Sequence, residues 1–255
     1  MSSTINTFVW FELNTTDKAA ASAFYSELFG WSIADKEPGV PDTYTGLSNN
    51  GASFGGMDLA RDGAPAHWLG YIDADDVDAR VAKLERLGGH ALMPGFDIPG
   101  VGRIAVVADN NGAIHALYCG TMSAHSKGWE PSRDKTGDIG WSELMVADVP
   151  KARAYYGEGF GWSVGDGMPM PDGGVYLMFQ VGEKMIGGLL QKPDEMPVSA
   201  FMFYVNVEDV NATAAKAEAL GGSVIVNQVI PGMVHFAVLI DPQGAVIGIV
   251  KSMSH

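Results

Sequence analysis

Residues 10–31 read WFELNTTDKAAASAFYSELFGW, and residues 141–162 read WSELMVADVPKARAYYGEGFGW, the same pattern displaced by 131 positions (141 − 10). Both stretches carry a Trp-x-Glu-Leu start, an Asp, a Tyr and a Phe-Gly-Trp end. Further along, Leu-Gly-Gly at 87–89 returns at 220–222, and Asp-Asn-Asn-Gly at 109–112 returns as Asp-Pro-Gln-Gly at 241–244. A repeat that keeps its spacing over this length indicates duplicated domains.

Each half gives strand and helix signals in a fixed order. The segment 9–13 is short and rich in aromatic residues, as strands are, and Asp17 offers an N-cap to a helical pattern that stops at Gly30. The same order returns at 68–72 and in the helical pattern that ends at Gly88. Short segments broken by Gly, Pro and Asn follow each helix and suit strands. The order predicts a unit of one strand, one helix and about three strands, used four times in the chain.

Domain boundaries follow from the repeat. We predict a first domain over residues 5–122, a linker over 123–136 and a second domain over 137–252. The linker stretch is polar and carries Gly, Pro and Ser residues, which are typical of connecting segments. At 255 residues the chain is long enough for two domains, each with a hydrophobic core.

Composition narrows the choice of partners. Apolar residues make up 47% of the chain and charged residues 18%, so the chain is expected to be globular. A net charge of −14 repels phosphate backbones and anionic lipid, so we expect neither a nucleic-acid nor a membrane partner. The single cysteine, Cys119, cannot form an internal disulfide, and the first ten residues lack the apolar core of a secretory leader. These features predict a soluble, cytoplasmic protein.

The residues of the repeat resemble a known family. The Asp that closes the first strand, the Gly-aromatic end of the first helix and the Asp-Pro-x-Gly turn before the last strand are similar to those of the vicinal oxygen chelate superfamily. That superfamily includes glyoxalases, bleomycin-resistance proteins and extradiol dioxygenases, and the chain looks closest to two-domain, glyoxalase-like members loosely labelled hydroxylases. The resemblance implies an α+β fold of tandem domains. In each domain, two βαβββ units would form one curled mixed sheet, a cup that holds a metal or a ligand.

The resemblance also allows a comparison of metal ligands. Metal-using relatives carry a His where this chain has Trp10 and Trp141, and a Glu where it has Ala116 and Gly248. Indole does not ligate divalent cations, and neither Ala nor Gly supplies a carboxylate. We therefore predict a site without a metal cofactor.

One alternative keeps a metal in the first cup. His67 opens the predicted fifth strand, and with a shifted register it would face Glu12. Its counterpart in the other half is Ala200, so the alternative is one divalent metal in the first cup and none in the second.

Glu12 and Glu143 are the candidate catalytic residues. Each follows the replaced ligand position by two residues and so is expected to share its face of the strand. A carboxylate among aromatic side chains loses hydration and becomes a candidate general base or hydrogen-bond acceptor for a ligand. The structural alternative is that each Glu caps a backbone N–H or pairs with an arginine such as Arg103.

The remaining candidate ligand contacts are mostly aromatic, as in many small-molecule sites. They are Trp10, Tyr44, Trp68 and Tyr118 in the first half and Trp141, Tyr176 and Phe201 in the second, with Arg103 and His235 at matching polar positions. Two glycine pairs, 55–56 and 187–188, indicate a bulge or a close approach of the backbone.

These features predict a glyoxalase-like protein that binds a hydrophobic or aromatic metabolite, or a metal-independent enzyme that acts on one through Glu12 and Glu143. The alternative is a metal-dependent lyase, isomerase or dioxygenase of the superfamily. A third possibility is that one cup serves only for assembly, in which case the first half is expected to bind the ligand. The chain is expected to be a monomer or a homodimer.

Overall fold

The computed structural model describes residues 6–34, 44–61, 63–120, 135–170 and 173–253. The first repeat contains eight strands and two helices in these residues. They are β1 (Phe8–Thr15), α1 (Lys18–Phe29), β2 (Ser32–Ala34), β3 (Thr45–Asn49), β4 (Ala52–Leu59), β5 (His67–Asp73), α2 (Val77–Arg86), β6 (His90–Ile98), β7 (Gly102–Ala108) and β8 (Ile114–Gly120).

The second repeat follows the same order, with one additional short strand. Its elements are β9 (Ile139–Val146), α3 (Val149–Phe160), β10 (Ser163–Val164), β11 (Met168–Pro169), β12 (Val175–Val181), β13 (Lys184–Gln191), β14 (Ala200–Asn206), α4 (Val210–Ala219), β15 (Ser223–Ile230), β16 (Val234–Ile240) and β17 (Val246–Ser252). No helix of the described residues has the length and apolarity needed to cross a membrane.

Each repeat contributes one mixed sheet. The first has the strand order β2-β3-β4-β1-β5-β8-β7-β6, and the second has β10-β12-β13-β9-β14-β17-β16-β15, with β11 paired to β12. Each helix therefore belongs to a module of one leading strand, the helix and the strands that follow. The first module is β1–β4 with α1, the second β5–β8 with α2, the third β9–β13 with α3 and the fourth β14–β17 with α4. The predicted α+β fold of four repeated units is confirmed.

The repeated aspartates begin the helices. Asp17, Asp76, Asp148 and Asp209 are the N-caps of the four helices, and each accepts a hydrogen bond of 2.9–3.0 Å from the backbone N–H three residues later. Helices α1 and α3 end at glycines with φ of 74° and 73°, a conformation that favours glycine. The predicted helix boundaries are confirmed because cap residues specify them locally.

The modules pack across the repeats. The first and fourth modules form one compact unit, and the second and third modules form the other. Tyr25 of α1 donates a buried hydrogen bond of 2.9 Å to Oδ2 of Asp241, in the turn before β17. Tyr156 of α3 donates one of 3.0 Å to Oδ2 of Asp109, in the turn before β8. A helix of each repeat is thus bonded to a turn of the other.

The tryptophans that follow the helices make a second link of this kind. The indole of Trp31 donates a 2.7 Å hydrogen bond to the carbonyl of Gly137, just before β9. The indole of Trp162 donates one of 2.6 Å to the carbonyl of Asn6, just before β1. Each repeat therefore anchors the chain segment that enters the other. The predicted boundaries at 5–122 and 137–252 stay a prediction, and the predicted linker lies outside the described residues up to residue 134.

One buried histidine lies in this cross-repeat packing. The ring of His115 on β8 is fully buried, and its centre lies 5.8 Å from that of Tyr156 and 5.6 Å from that of Phe160, both on α3. Neither ring nitrogen has a hydrogen-bond partner among the described residues. Burial lowers the pKa of His115 from its ordinary value near 6.5 to about 3. His115 thus packs beneath helix α3.

Replacement of His115 by isoleucine, which stands at the equivalent position 247, is expected to make stability less dependent on pH. Between about pH 6.5 and 3 the unfolded state binds a proton at His115 that the folded state does not, so stability falls as pH falls. From pH 7 to pH 5 this amounts to about 2 kcal/mol in the native chain. Urea unfolding of the native chain and H115I at both pH values measures the difference. His67→Gln is the control for loss of a histidine at an exposed strand end. An equal loss of stability in H115I and the native chain would contradict the prediction.

Candidate functional site

Glu143 lies beside a tyrosine in the third module. The hydroxyl of Tyr176, on β12, donates a 2.8 Å hydrogen bond to Oε1 of Glu143, on β9. Both residues are half-buried. A hydroxyl that donates to a carboxylate makes a charge-assisted bond, which fixes the orientation of both groups. The structure thus brings together two of the predicted site residues, Glu143 and Tyr176.

A glycine makes room for this tyrosine. Gly188 on β13 is in register with Glu143, and a Cβ built on Gly188 would collide with the Tyr176 ring. The hydroxyl end of the ring therefore lies over Gly188, on the strand next to the glutamate. The preceding Gly187 approaches the backbone of Ser142 too closely for a side chain. The close backbone approach predicted for the glycine pair is confirmed in the third module.

The first module repeats the arrangement. Gly56 on β4 is in register with Glu12, and a Cβ built on Gly56 would collide with the Tyr44 ring. Glu12 is half-buried, and its Oε1 accepts a 3.1 Å hydrogen bond from Nδ2 of Asn14. Each repeat thus supports a glutamate with a tyrosine placed over the neighbouring glycine.

Strand register shows which sheet face carries the glutamates. Phe179 on β12 contacts Tyr156 of α3, with ring centres 5.6 Å apart, so Phe179 lies on the face that α3 covers. Its neighbour Met178 is in register with Gly188, and Gly188 is in register with Glu143. Because side chains alternate along a strand, these three lie on the opposite face. We call this the distal face, meaning the face that points away from the module's own helix.

Glu12 lies on the distal face of the first module. Leu13 is fully buried, and Phe11 packs against Phe203 with ring centres 4.9 Å apart, whereas Glu12 and Asn14 between and beyond them are half-buried. This alternation places Glu12 and Asn14 on one face and the two apolar residues on the other.

Two predicted aromatic contacts lie in the helix-side core instead. The indole of Trp68 donates a 3.2 Å hydrogen bond to the hydroxyl of Tyr25, on α1. Phe201 packs against Tyr156 of α3, with ring centres 5.7 Å apart. The prediction counted Trp68 and Phe201 among the aromatic residues that contact a ligand, whereas the structure places both against helices. We leave Trp68 and Phe201 out of the site.

The two predicted polar contacts also face helices. Arg103 donates hydrogen bonds of 2.7 and 2.9 Å to Asp78, on α2, and its Nη1 lies 3.2 Å from Asp97. His235 lies 2.8 Å from Oδ1 of Asn227, which in turn donates to Asn211, on α4. Arg103 and His235 therefore link strands to helices. These contacts do not support the predicted role of Arg103 and His235 in ligand binding. Arg103 pairs with Asp78 and Asp97, and not with a glutamate as the structural alternative suggested.

The other predicted lining residues have mixed positions. Tyr118 is buried, and its hydroxyl donates a 3.1 Å hydrogen bond to the carbonyl of Val101. It is in register with Ile104, and because Ile104 follows the helix-facing Arg103, both Ile104 and Tyr118 lie on the distal face. Trp10 is buried in β1, and Trp141 is half-buried in β9. Ligand contact by these three residues stays a prediction.

The positions that would hold a metal do not fit one. Ala116 is fully buried, and a Cβ built on Gly248 would collide with the Tyr204 ring, so neither position has room for a carboxylate without rearrangement. Within the described ranges, no three His, Cys, Asp or Glu residues are grouped so that they could hold a metal ion. His67, the residue behind the one-metal alternative, has its Nδ1 2.9 Å from the carbonyl of Pro65. The absence of a metal cofactor stays a prediction.

Sequence reasoning missed one residue and two pairings at these sites. Asn14 was not singled out, although its position two residues after Glu12 was a signal that both share a face. The pairing of Tyr176 with Glu143 gave no local signal because 33 residues separate them. The placing of a tyrosine over the second glycine of each pair was also missed, because it depends on the register between β4 and β3 and between β13 and β12.

Comparisons with known proteins agree with this fold. The model of the Glyoxalase/Bleomycin resistance protein/Dioxygenase superfamily matches residues 7–115 and 138–249. A Mycobacterium bovis protein named "Putative glyoxylase CFP32" is 35% identical over 255 residues, covering 95% of this chain and 93% of its own. The anthracycline biosynthesis protein DnrV of Streptomyces peucetius is 30% identical over 266 residues, covering 95% and 92%.

Solved structures show the same fold at low sequence identity. The Mn(II)-bound glyoxalase from Novosphingobium aromaticivorans is 15% identical with a TM-score of 0.66, covering 98% of this chain and 84% of its own. The 2,3-dioxygenase LapB from Pseudomonas sp. KL28 is 13% identical with a TM-score of 0.62, covering 98% and 93%. At these identities the similarity shows the fold alone.

Proposed function

Because the chain belongs to the glyoxalase/bleomycin resistance protein/dioxygenase superfamily, we propose that it binds a small, largely apolar aromatic metabolite at Glu12 and Glu143 without a metal ion. Each glutamate is the polar anchor for a hydroxyl or amine of the ligand, and the tyrosine beside it offers a ring for stacking. A mainly apolar site with one or two polar groups is the usual form of small-molecule recognition.

The observation that carries the proposal is the repeated glutamate with its tyrosine and glycine. The Tyr176–Glu143 hydrogen bond orients the carboxylate, and Gly188 removes the side chain that would block the ring. Glu12, Tyr44 and Gly56 repeat the set. A purely structural role would explain a fully buried carboxylate that satisfies a neighbouring group. It gives no reason for a half-buried glutamate with a tyrosine ring placed over the adjacent strand. Perturbed or specially placed carboxylates are common at functional sites.

These groups also define the available chemistry. A carboxylate oriented by a hydrogen bond accepts a proton from a ligand O–H, or from a C–H beside a carbonyl, when the proton lies within hydrogen-bond reach. The Tyr176 hydroxyl is a hydrogen-bond donor beside this carboxylate. Trp10, Trp141, Ala116 and Gly248 occupy the positions of metal ligands in metal-using relatives, and none of these side chains ligates a divalent cation.

The relatives support the class of ligand. The Streptomyces peucetius relative is named for the biosynthesis of anthracyclines, which are fused-ring aromatic compounds, and it aligns with 95% of this chain. Aromatic ligands of this kind match a site in which tyrosine rings lie over glycines. We propose the same ligand class here.

The proposal predicts that Glu12→Gln and Glu143→Gln each weaken ligand binding. Glutamine keeps the size of the side chain but removes the charge, and loss of one charge-assisted hydrogen bond lowers affinity by about tenfold or more. Isothermal titration with a panel of hydroxylated and amino-substituted fused-ring aromatics measures the effect. Glu218→Gln, an exposed glutamate on α4, makes the same charge change away from the site. Equal affinities in all variants and the native chain would remove the glutamates from the site.

Metal analysis completes this test. Protein purified without chelators is expected to carry substoichiometric iron, manganese, nickel and zinc, and its ligand affinities are expected to survive dialysis against EDTA. About one equivalent of tightly held transition metal per chain, with binding lost on its removal, would instead favour the metal-dependent alternative.

A further inference from the structure

The two glutamates have different neighbours on their own strand. Asn14 follows Glu12 by two residues and donates a 3.1 Å hydrogen bond to its carboxylate. The same place after Glu143 is taken by Met145, which is 7% exposed and offers no donor. The carboxylate of the third module is instead oriented by the phenol of Tyr176.

The neighbouring strands extend this difference. Asp58 on β4 is in register with Asn14, so its side chain lies on the distal face of the first module. In the third module, Met145 is in register with Leu190, which is half-buried. Beside its glutamate, the first module thus has Asn14 and the carboxylate of Asp58. The third module has the apolar side chains of Met145 and Leu190 at the same places.

The charge of Asp58 has a cationic neighbour, and its Oδ1 also accepts a 2.8 Å hydrogen bond from the backbone N–H of Leu59. Its Oδ2 lies 3.4 Å from Nη2 of Arg61, whose side chain is 71% exposed. An ion pair with such an exposed partner is screened by water and contributes little. The distal face of the first module therefore carries negatively charged hydrogen-bond acceptors. The net charge of the chain, −14, also attracts cations and repels anions.

We propose that the two sites select different ligand groups: the Glu12 site takes a protonated amine carried on an apolar body, and the Glu143 site takes a neutral hydroxyl on such a body. This inference rests on the proposed function, since it assumes that both glutamates anchor ligands. A cationic amine donates to carboxylates and is attracted by the charge of Asp58, whereas a neutral hydroxyl avoids the loss of hydration that a cation would suffer beside Met145 and Leu190.

The experiment uses two probes of equal shape, 2-naphthylmethylamine and 2-naphthylmethanol. Each site is measured in the full chain with the other glutamate replaced, so that Glu143→Gln reports on the Glu12 site and Glu12→Gln on the Glu143 site. In the Glu143→Gln background the amine is expected to bind about tenfold more tightly than the alcohol. Adding Asp58→Asn is expected to remove most of this preference, chiefly by weakening the binding of the amine. Asn14→Met with Asp58→Leu, which gives the first module the residues of the third, is expected to reverse it.

The outcomes separate this inference from the proposed function. Equal binding of both probes at the Glu12 site, or an amine preference that survives Asp58→Asn, would overturn the inference and leave the proposed binding sites in place. If neither probe nor any fused-ring aromatic of the panel binds the native chain, both proposals fail together. Cooperative urea unfolding of each variant shows that a change in binding is not a loss of folding. Asp58→Asn, a nearly isosteric change, keeps the test valid if the double variant does not fold.

Discussion

Two polypeptides produced by a cut after Gly128 are expected to recombine into a one-to-one complex, whereas neither half alone is expected to be a stable monomer. Each compact unit contains one module from each repeat, so a separate half lacks the packing partner of both its helices. It would also expose the buried groups at both cross-repeat hydrogen bonds, Tyr25–Asp241 and Tyr156–Asp109. The free-energy cost of exposing this apolar surface to water is expected to exceed the roughly 5–15 kcal/mol by which an ordinary domain is stable.

Light scattering after size-exclusion chromatography tests this expectation on co-expressed and separately expressed halves. The co-expressed pair is expected to elute at the mass of the intact chain, with its near-ultraviolet circular dichroism. A separate half is expected to form dimers or aggregates, because a second copy offers the nearest substitute for the missing modules. A half that elutes as a monomer with native aromatic dichroism would show that each repeat folds independently.

Tyr156→Phe is expected to lower the free energy of unfolding by about 1–3 kcal/mol. Asp109 is 2% exposed, and its carboxylate accepts hydrogen bonds from the backbone N–H groups of Asn111 and Ala113 as well as from Tyr156. Burial raises the pKa of Asp109, and the Tyr156 bond opposes that rise. Loss of the hydroxyl leaves a buried carboxyl oxygen without this donor. Urea unfolding at pH 7 measures the effect.

The adjacent tyrosine provides a matched control. The hydroxyl of Tyr155 is also buried, and it has no hydrogen-bond partner in the part of the chain that the structure describes. Tyr155→Phe therefore removes an unpaired polar atom at the same helix and is expected to leave stability unchanged or slightly higher. Equal destabilisation by both substitutions would mean that the loss reflects packing and not the Asp109 bond.

The elements of the fold were predictable because their signals are local. Asp17 caps its helix through a backbone group three residues away, and Gly30 ends it in a left-handed conformation. The Asp-Pro-Gln-Gly turn also depends on four consecutive residues, and the N–H of Gly244 bonds to the carbonyl of Asp241 as expected. The exchange of modules between repeats was not predictable in this way, since Tyr25 and Asp241 are 216 residues apart.

The site was predictable only in part. Alternation along β1 and β9 predicted that each glutamate shares a face with the tryptophan two residues before it, and in the structure both glutamates lie on the distal face. It did not exclude Trp68 and Phe201, because aromatic residues on both faces of a strand look alike in a sequence. The repeat placed Arg103 and His235 at equivalent positions. It gave no sign that Arg103 would bond to α2, or that His235 would be linked through Asn227 to α4.

The reciprocal tyrosine–aspartate bonds restrict how such a protein can evolve or be recombined. The turn that holds Asp109 belongs to the first repeat, and the helix that holds Tyr156 belongs to the second. The buried hydroxyl of Tyr156 and the buried carboxyl of Asp109 are nevertheless hydrogen-bond partners. A chimera that takes one half from a homologue must therefore match the donors and acceptors of the half it keeps. The residues around Glu12 and Glu143 need no such matching, so the two proposed ligand sites are free to diverge from each other.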